Sequence, residues 1–348
     1  MVVRRYMLVV PLFSLLALTA IYYRWETSMV YVQRMLNQDN TAKEYSRCEP
    51  KVNFIFVKTA KTGGSTVASI LYRYGFQHNL TAALPDPPSD VFLRIRDSEV
   101  LATNYNCTKP FPGYNYISNH IGNYNYSVLN NFIPNAKFIT IVRSPYRQFE
   151  SYFYYFKLHV RHGLQNSSNP FETFLTDESY KNKAKRAVRY RQLHWLGYHV
   201  ENNGNYTNFK STLKELDKQF ALVMITEYMD ESLVLLKKMM CWTIDDVMYY
   251  SQKVAARKKL NITKDMENVL AAGMVEDIRM YNYFNRTLWD KIDKYDGNFT
   301  EDLRLYRAAK SAVCRDKEDT EFCTNIRRGP AMYKKQIAKI QFNRFCQN

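Results

Sequence analysis

Lys58, Lys61, Ser65 and Thr66 surround a glycine pair in the run Lys58-Thr-Ala-Lys-Thr-Gly-Gly-Ser-Thr66. Ammonium and hydroxyl donors beside Gly63 and Gly64 suit a multiply charged anion, because a backbone without Cβ atoms lets its amides approach the ligand. Val52-Asn-Phe-Ile-Phe-Val57 precedes the run as an apolar strand pattern. Val67, Ile70, Leu71 and Tyr74 follow at helical spacing, with Gly75 placed where a helix would end. Strand, tight turn and helix start form a phosphate-binding order, since a helix's first turn carries unpaired amides and the positive end of its dipole. A nucleotide-triphosphate P-loop is excluded, because Ala60 rather than glycine precedes Lys61 and the strand before it holds no glycine. The plainer alternative is a lysine-rich turn between a buried strand and a helix.

A second basic site lies in Arg143-Ser-Pro-Tyr-Arg-Gln-Phe-Glu-Ser151. Ser144 suits a helix cap and Pro145 the first helical position, so Arg143 stands at a strand's carboxyl end and Ser151 two turns into the helix. Ligands of open α/β sheets bind at such ends, which predicts one crevice shared by this turn and the Lys61 turn. Arg143 offers a forked donor to a phosphate, and Ser151 adds a hydroxyl. A surface ion pair is the alternative for Arg143.

These turns need a sheet to hold them. Strand signals at 52–57, near Tyr114 to Ser118, at Lys137 to Val142 and at Phe220 to Ile225 alternate with helix signals, the last leading into a helix over Glu231 to Met240. The alternation predicts an α/β fold with a mostly parallel sheet flanked by helices. Residues 85–88 and 202–205 read as loops. From Asp265 onward the chain reads as helical, with Val269, Met274, Ile278, Tyr281 and Leu288 turned to the core.

At 348 residues there is room for one large domain and appendages. An excess of 49 basic over 33 acidic residues, +16 in formal charge, favours polyanionic ligands or an anionic membrane surface. Nucleic acid is set aside as a partner, since the basic residues are dispersed and no zinc-finger or RNA-recognition pattern occurs. Residues 7–23 carry no charge and follow Arg4 and Arg5, which predicts a short transmembrane signal anchor with residues 1–6 cytoplasmic. A cleaved signal peptide is disfavoured because no small-x-small site follows the apolar run. Residues 24–50 then read as a stem and 51–348 as a lumenal domain. Glycosylation triplets beginning at Asn79, Asn106, Asn125, Asn166, Asn205, Asn261, Asn285 and Asn298 favour that side of the membrane. Six cysteines fit an oxidising compartment, with Cys314 and Cys323 the expected local pair, and their spacing fits no zinc site.

The two anion-binding turns together resemble the sulfotransferase superfamily, and more narrowly the chain is similar to the galactose-3-O-sulfotransferases. The resemblance rests on residues 56–66, Ser118-Asn119-His120, residues 149–156, residues 227–236 with Cys241-Trp242, and Tyr283-Phe284-Asn285, in the family's order. It implies a P-loop-like sulfotransferase fold and a Golgi type II membrane enzyme. That enzyme would move a sulfuryl group from 3′-phosphoadenosine-5′-phosphosulfate (PAPS) to a galactose hydroxyl, the 3-OH, of a glycolipid or glycoprotein glycan, with no metal. Lys61 would contact the 5′-phosphosulfate, with Lys58, Thr62, Gly63, Gly64, Ser65 and Thr66 around it. Arg143 and Ser151 would hold the 3′-phosphate, Arg257 would lie near the donor or acceptor, and His120 would be the general base.

The family's loop often reads Lys-Thr-His-Lys-Thr, and here Ala60 replaces that histidine. The departure leaves the acceptor open to another glycan, such as a glycosaminoglycan, and motivates a second reading as a catalytically silent glycan-binding relative. A metal-dependent glycosyltransferase is disfavoured by the lack of any Asp-x-Asp.

Overall fold

Four parallel, largely buried strands end on the same side of a six-stranded sheet ordered β3-β2-β4-β1-β5-β6. The strands are β1 (Phe54–Val57), β2 (Phe92–Arg96), β3 (Glu99–Leu101), β4 (Tyr116–Ile121), β5 (Lys137–Val142) and β6 (Leu222–Ile225). All neighbours are parallel except the β2–β3 hairpin at the edge. The computed structural model describes residues 48–105, 107, 110–188, 192–198, 209–250, 260–314 and 320–347. The proposed anchor at 7–23, almost all of the stem, Asn106, Asn205 and Arg257 lie outside the described residues.

β1 and β6 are buried at every position, which their unbroken apolar sequences require in a sheet covered on both faces. β1 runs between β4 and β5, so Val57 is level with Asn119 on one side and Thr140 on the other. The expected strand at 114–118 begins and ends later. Ser118 and Asn119 are polar yet buried, and the strand runs past them through His120.

Helix α1 (Gly64–Gln77) leaves β1 through the basic turn and packs on β4, with Val67, Ile70, Leu71 and Tyr74 buried as their spacing implies. Gly75 does not end it. The helix continues to Gln77, and a Cβ on Gly75 would lie 2.3 Å from the Tyr116 ring. That glycine therefore serves close packing of helix on sheet. Helix α2 (Pro145–Tyr155) follows β5, with Pro145 in its first turn as expected. Ser144 occupies the cap position without a side-chain cap bond. Helices α3 (Met229–Met240) and α4 (Val275–Asp293) pack on β6, and α5 (Pro330–Cys346) lies against α1. Among the expected core positions of the C-terminal part, Met274 and Leu288 are fully buried, whereas Val269, Ile278 and Tyr281 are half-buried against the two apolar cores.

Disulfides join Cys314 to Cys323, as the sequence suggested, and Cys107 to Cys346 across 239 residues. Among the described residues no helix is long and apolar enough to cross a membrane.

Candidate functional site

The turn after β1 is pinned by three side chains from three other elements. Gln148 Nε2 on α2 donates to the Ala60 carbonyl at 2.9 Å, Arg143 Nη1 donates to the Lys61 carbonyl at 3.3 Å, and the Thr226 hydroxyl donates to the Thr62 carbonyl. The peptide bonds here are trans, so each amide N–H points opposite to the preceding carbonyl. With these carbonyls drawn back into the protein, the amides of Lys61 and Gly63 face the other way. Lys61 and Gly63 both adopt left-handed conformations, φ 63° and 78°. This alternation makes a concave nest of main-chain donors for an anion. The nest opens onto the first turn of α1, which has no side-chain cap and no acidic residue.

The strained turn is braced from below. Thr59 is buried and donates to the Ile141 carbonyl at 2.6 Å, and its hydroxyl lies 2.7 Å from that of Thr62. Thr62 is fully buried, main chain included, so its hydroxyl braces the turn from inside while Lys61 and Gly63 keep exposed surface. A Cβ on Gly64 would come within 2.9 Å of Lys58 Cγ, which explains the second glycine. The Lys61 ammonium sits 3.6 Å above the centre of the Tyr155 ring, at the end of α2. A ring face attracts a cation, and this contact fixes the ammonium at the end of α2.

Arg143 is fixed by its own network. Its amide donates to Gln192 Oε1 and its carbonyl accepts from Gln192 Nε2, both at 2.8 Å. Glu227 Oε1 lies 4.0 Å from Arg143 Nε and accepts the Ser144 amide at 3.1 Å. The Tyr281 hydroxyl donates to the other Glu227 oxygen at 3.3 Å. Burial pulls the Arg143 pKa down and Glu227 works against that fall, so the group remains a cation at any physiological pH.

His120 occupies the next strand end, on β4. Its Nδ1 lies 2.7 Å from the Lys58 carbonyl. A carbonyl only accepts, so Nδ1 bears the proton and Nε2 carries the lone pair. Burial, and then the nearby Lys58 charge, lower the His120 pKa from 6.5 to about 4. The imidazole is therefore neutral and able to take a proton across the mildly acidic to neutral range.

A family model for galactose-3-O-sulfotransferases matches residues 1–339. The chain belongs to that family. It is 33% identical over 257 residues to the galactosylceramide sulfotransferases of Bos taurus and Homo sapiens, covering 71% of this chain and 59% of each relative. It is 29% identical over 294 residues to galactose-3-O-sulfotransferase 2 of Mus musculus, covering 80% of this chain and 73% of that protein. The chain thus spans about six-tenths of the length of the galactosylceramide sulfotransferases it matches.

Within this galactose-3-O-sulfotransferase family member, Lys58, Lys61, Gly63, Gly64, His120 and Arg143 come together at the carboxyl ends of β1, β4 and β5. Ser65 is half-buried and Thr66 buried in the first turn of α1, and Ser151 is half-buried along α2. Gln148, Gln192, Thr226, Glu227 and Asp277 escaped sequence reasoning as site residues. Each acts on a partner far along the chain, and no local pattern marks them. Among the described residues no cluster of metal-ligating side chains occurs.

Proposed function

We propose that the protein is a carbohydrate sulfotransferase that carries a sulfuryl group from PAPS to a galactose hydroxyl, the 3-OH, of a glycolipid or glycoprotein glycan. The observation that carries this reading is the Arg143 to Lys61 contact, which gathers two cationic positions at one end of the sheet beside a neutral histidine. Family membership supports it, as do the sulfotransferase activities for which the relatives are named. The donor brings a sulfuryl group on a phosphate leaving group, and that leaving group gains negative charge as the bond breaks.

The residues suit such a donor. Lys61, with the amides of the turn, meets developing charge on the leaving phosphate, a fixed arrangement that needs no reorganisation during reaction. Lys58 and the first turn of α1, with Ser65 and Thr66, surround the same group. Arg143 and Ser151 hold the 3′-phosphate, so the two basic turns together suit a nucleotide with two anionic groups. His120 Nε2 takes the proton of the attacking hydroxyl, and Nδ1–H, held by Lys58, keeps the ring oriented. Arg257 is assigned to the donor or acceptor side on the family resemblance alone.

The reading extends to location. Residues 7–23 serve as a type II anchor in the Golgi membrane, 24–50 as a stem and 51–348 as the lumenal catalytic domain of P-loop-like sulfotransferase fold. The disulfides Cys107–Cys346 and Cys314–Cys323 support an oxidising lumen.

The test is a purified full-length protein incubated with sulfur-labelled PAPS and a panel of β-galactosides. Label should appear on galactose and be lost in Lys61→Ala and His120→Ala. Retention on immobilised adenosine 3′,5′-bisphosphate (PAP) without any transfer would favour the silent glycan-binding relative. Failure to be retained would remove the donor assignment altogether.

A further inference from the structure

Two aromatic rings stand beside His120 at the same edge of the sheet. Phe92 opens β2 and is the register partner of His120, and Trp195 sits on the helical turn Leu193–Leu196. Their rings are 5.7 Å apart with planes only 16° from parallel. The imidazole lies 4.9 Å from Trp195 and 5.8 Å from Phe92. Phe92 is 37% exposed, Trp195 is half-buried, and neither belongs to the apolar cores. Burial alone therefore does not explain them.

The Trp195 turn is anchored at its start. The amides of Gln192 and Leu193 donate to the two oxygens of Asp277 at 3.1 and 3.0 Å, and Gln192 exchanges two hydrogen bonds with the Arg143 backbone. The segment that positions Trp195 is thus the one that fixes Arg143.

We propose that Trp195 and Phe92 form the platform on which the acceptor galactose lies while it presents its hydroxyl to His120. Galactose carries its 4-hydroxyl axially, which leaves one ring face made of C–H groups at positions 3, 4 and 5. Polarised C–H groups meet the negative face of an aromatic ring, and a ring of this stacked pair offers an apolar face of matching size. Equatorial hydroxyls project from the edge of a stacked sugar, so a base beside the platform meets one of them. Glucose, with an equatorial 4-hydroxyl, presents a less continuous apolar face and should be the poorer acceptor. The inference deepens the sulfotransferase reading and rests on His120 as its base.

The experiment uses the full-length protein with methyl β-galactoside, measuring transfer kinetics and, separately, galactoside binding by equilibrium dialysis. Trp195→Ala and Phe92→Leu should raise the acceptor KM by roughly tenfold and weaken binding in step, with kcat and PAP affinity little changed. Trp195→Phe should recover most of the loss, and preference for galactose over glucose should fall in Trp195→Ala. Phe92→Leu, at an exposed edge position, guards against misfolding, which thermal melting of each variant would reveal. If transfer proceeds and both variants keep the wild-type KM, the platform is overturned while the sulfotransferase reading stands. If transfer is absent yet galactoside binding depends on Trp195, the platform stands and the catalytic reading falls. No galactoside binding by the wild type overturns the platform.

Discussion

Arg143 Nη1 donates to the carbonyl oxygen of Lys61, a residue 82 positions away in the chain. The contact ties the end of β5 to the turn after β1 and leaves Arg143 between a main-chain acceptor and Glu227. Removing a half-buried, hydrogen-bonded cation from a binding site costs about 2–5 kcal/mol, or a loss of affinity of roughly 30-fold or more. Arg143→Ala should therefore weaken PAP binding by that factor, and Arg143→Lys should fall between the two because it keeps the charge without the fork. Calorimetric titration with PAP decides this; equal affinity in all three proteins would take Arg143 out of the donor site.

The same turn can be loosened without touching any cationic group. Gln148 is buried, and its Nε2 holds the Ala60 carbonyl, while its Oε1 has no partner among the described residues. Gln148→Leu preserves most of the volume and strands the carbonyl, at a cost of about 1–3 kcal/mol. The freed peptide can then rotate, and the amide of Lys61 leaves the nest. We expect PAP affinity to fall by roughly tenfold with a modest loss of stability. An unchanged affinity beside a lowered melting temperature would show that the bond matters to the fold alone.

The sequence made the strands from β4 to β6 readable and the β2–β3 side obscure. β1 and β5 are continuous apolar runs, a pattern that few other structures explain. β2 and β3 went unread because Phe92-Leu-Arg-Ile-Arg96 and Glu99-Val-Leu101 form a half-exposed hairpin at one side of the sheet, whose charges mimic a loop. Lys61 and Arg143 were legible because turn chemistry and strand ends are local. Their supports were not: Gln192 reaches Arg143 over 49 residues, Asp277 reaches Gln192 over 85, and tertiary contact alone creates those pairs. His120 became a candidate through family resemblance, since a lone histidine in a strand says little by itself.

Gly75 offers a test of helix packing in which two effects oppose each other. Gly75→Ala should stabilise a helix interior by about 1 kcal/mol on propensity. Its new Cβ, however, would lie 2.3 Å from a Tyr116 ring that is fully buried against Phe54 and Tyr72 and has nowhere to move. Overpacking of that kind costs about 1–3 kcal/mol or more, so the clash should win. The midpoint of chemical denaturation should fall. A rise would mean that the helix shifts freely over β4.

His120 supplies the last prediction, because its pKa links catalysis to stability. In the folded protein the value lies near 4, below the 6.5 of an unhindered imidazole. Between those values the unfolded chain binds the extra proton and the folded one does not, so stability rises with pH through that window and this contribution levels off above about 6.5. His120→Gln should flatten that slope, visible as a smaller difference between denaturation midpoints at pH 5 and pH 7. For catalysis, kcat/KM reports the free enzyme, and its acid limb from His120 should appear only near pH 4. Bound anionic donor favours the imidazolium, so the acid limb of kcat should lie at higher pH than that of kcat/KM. Coincident limbs, or an acid limb that survives in His120→Gln, would assign the proton transfer to another group.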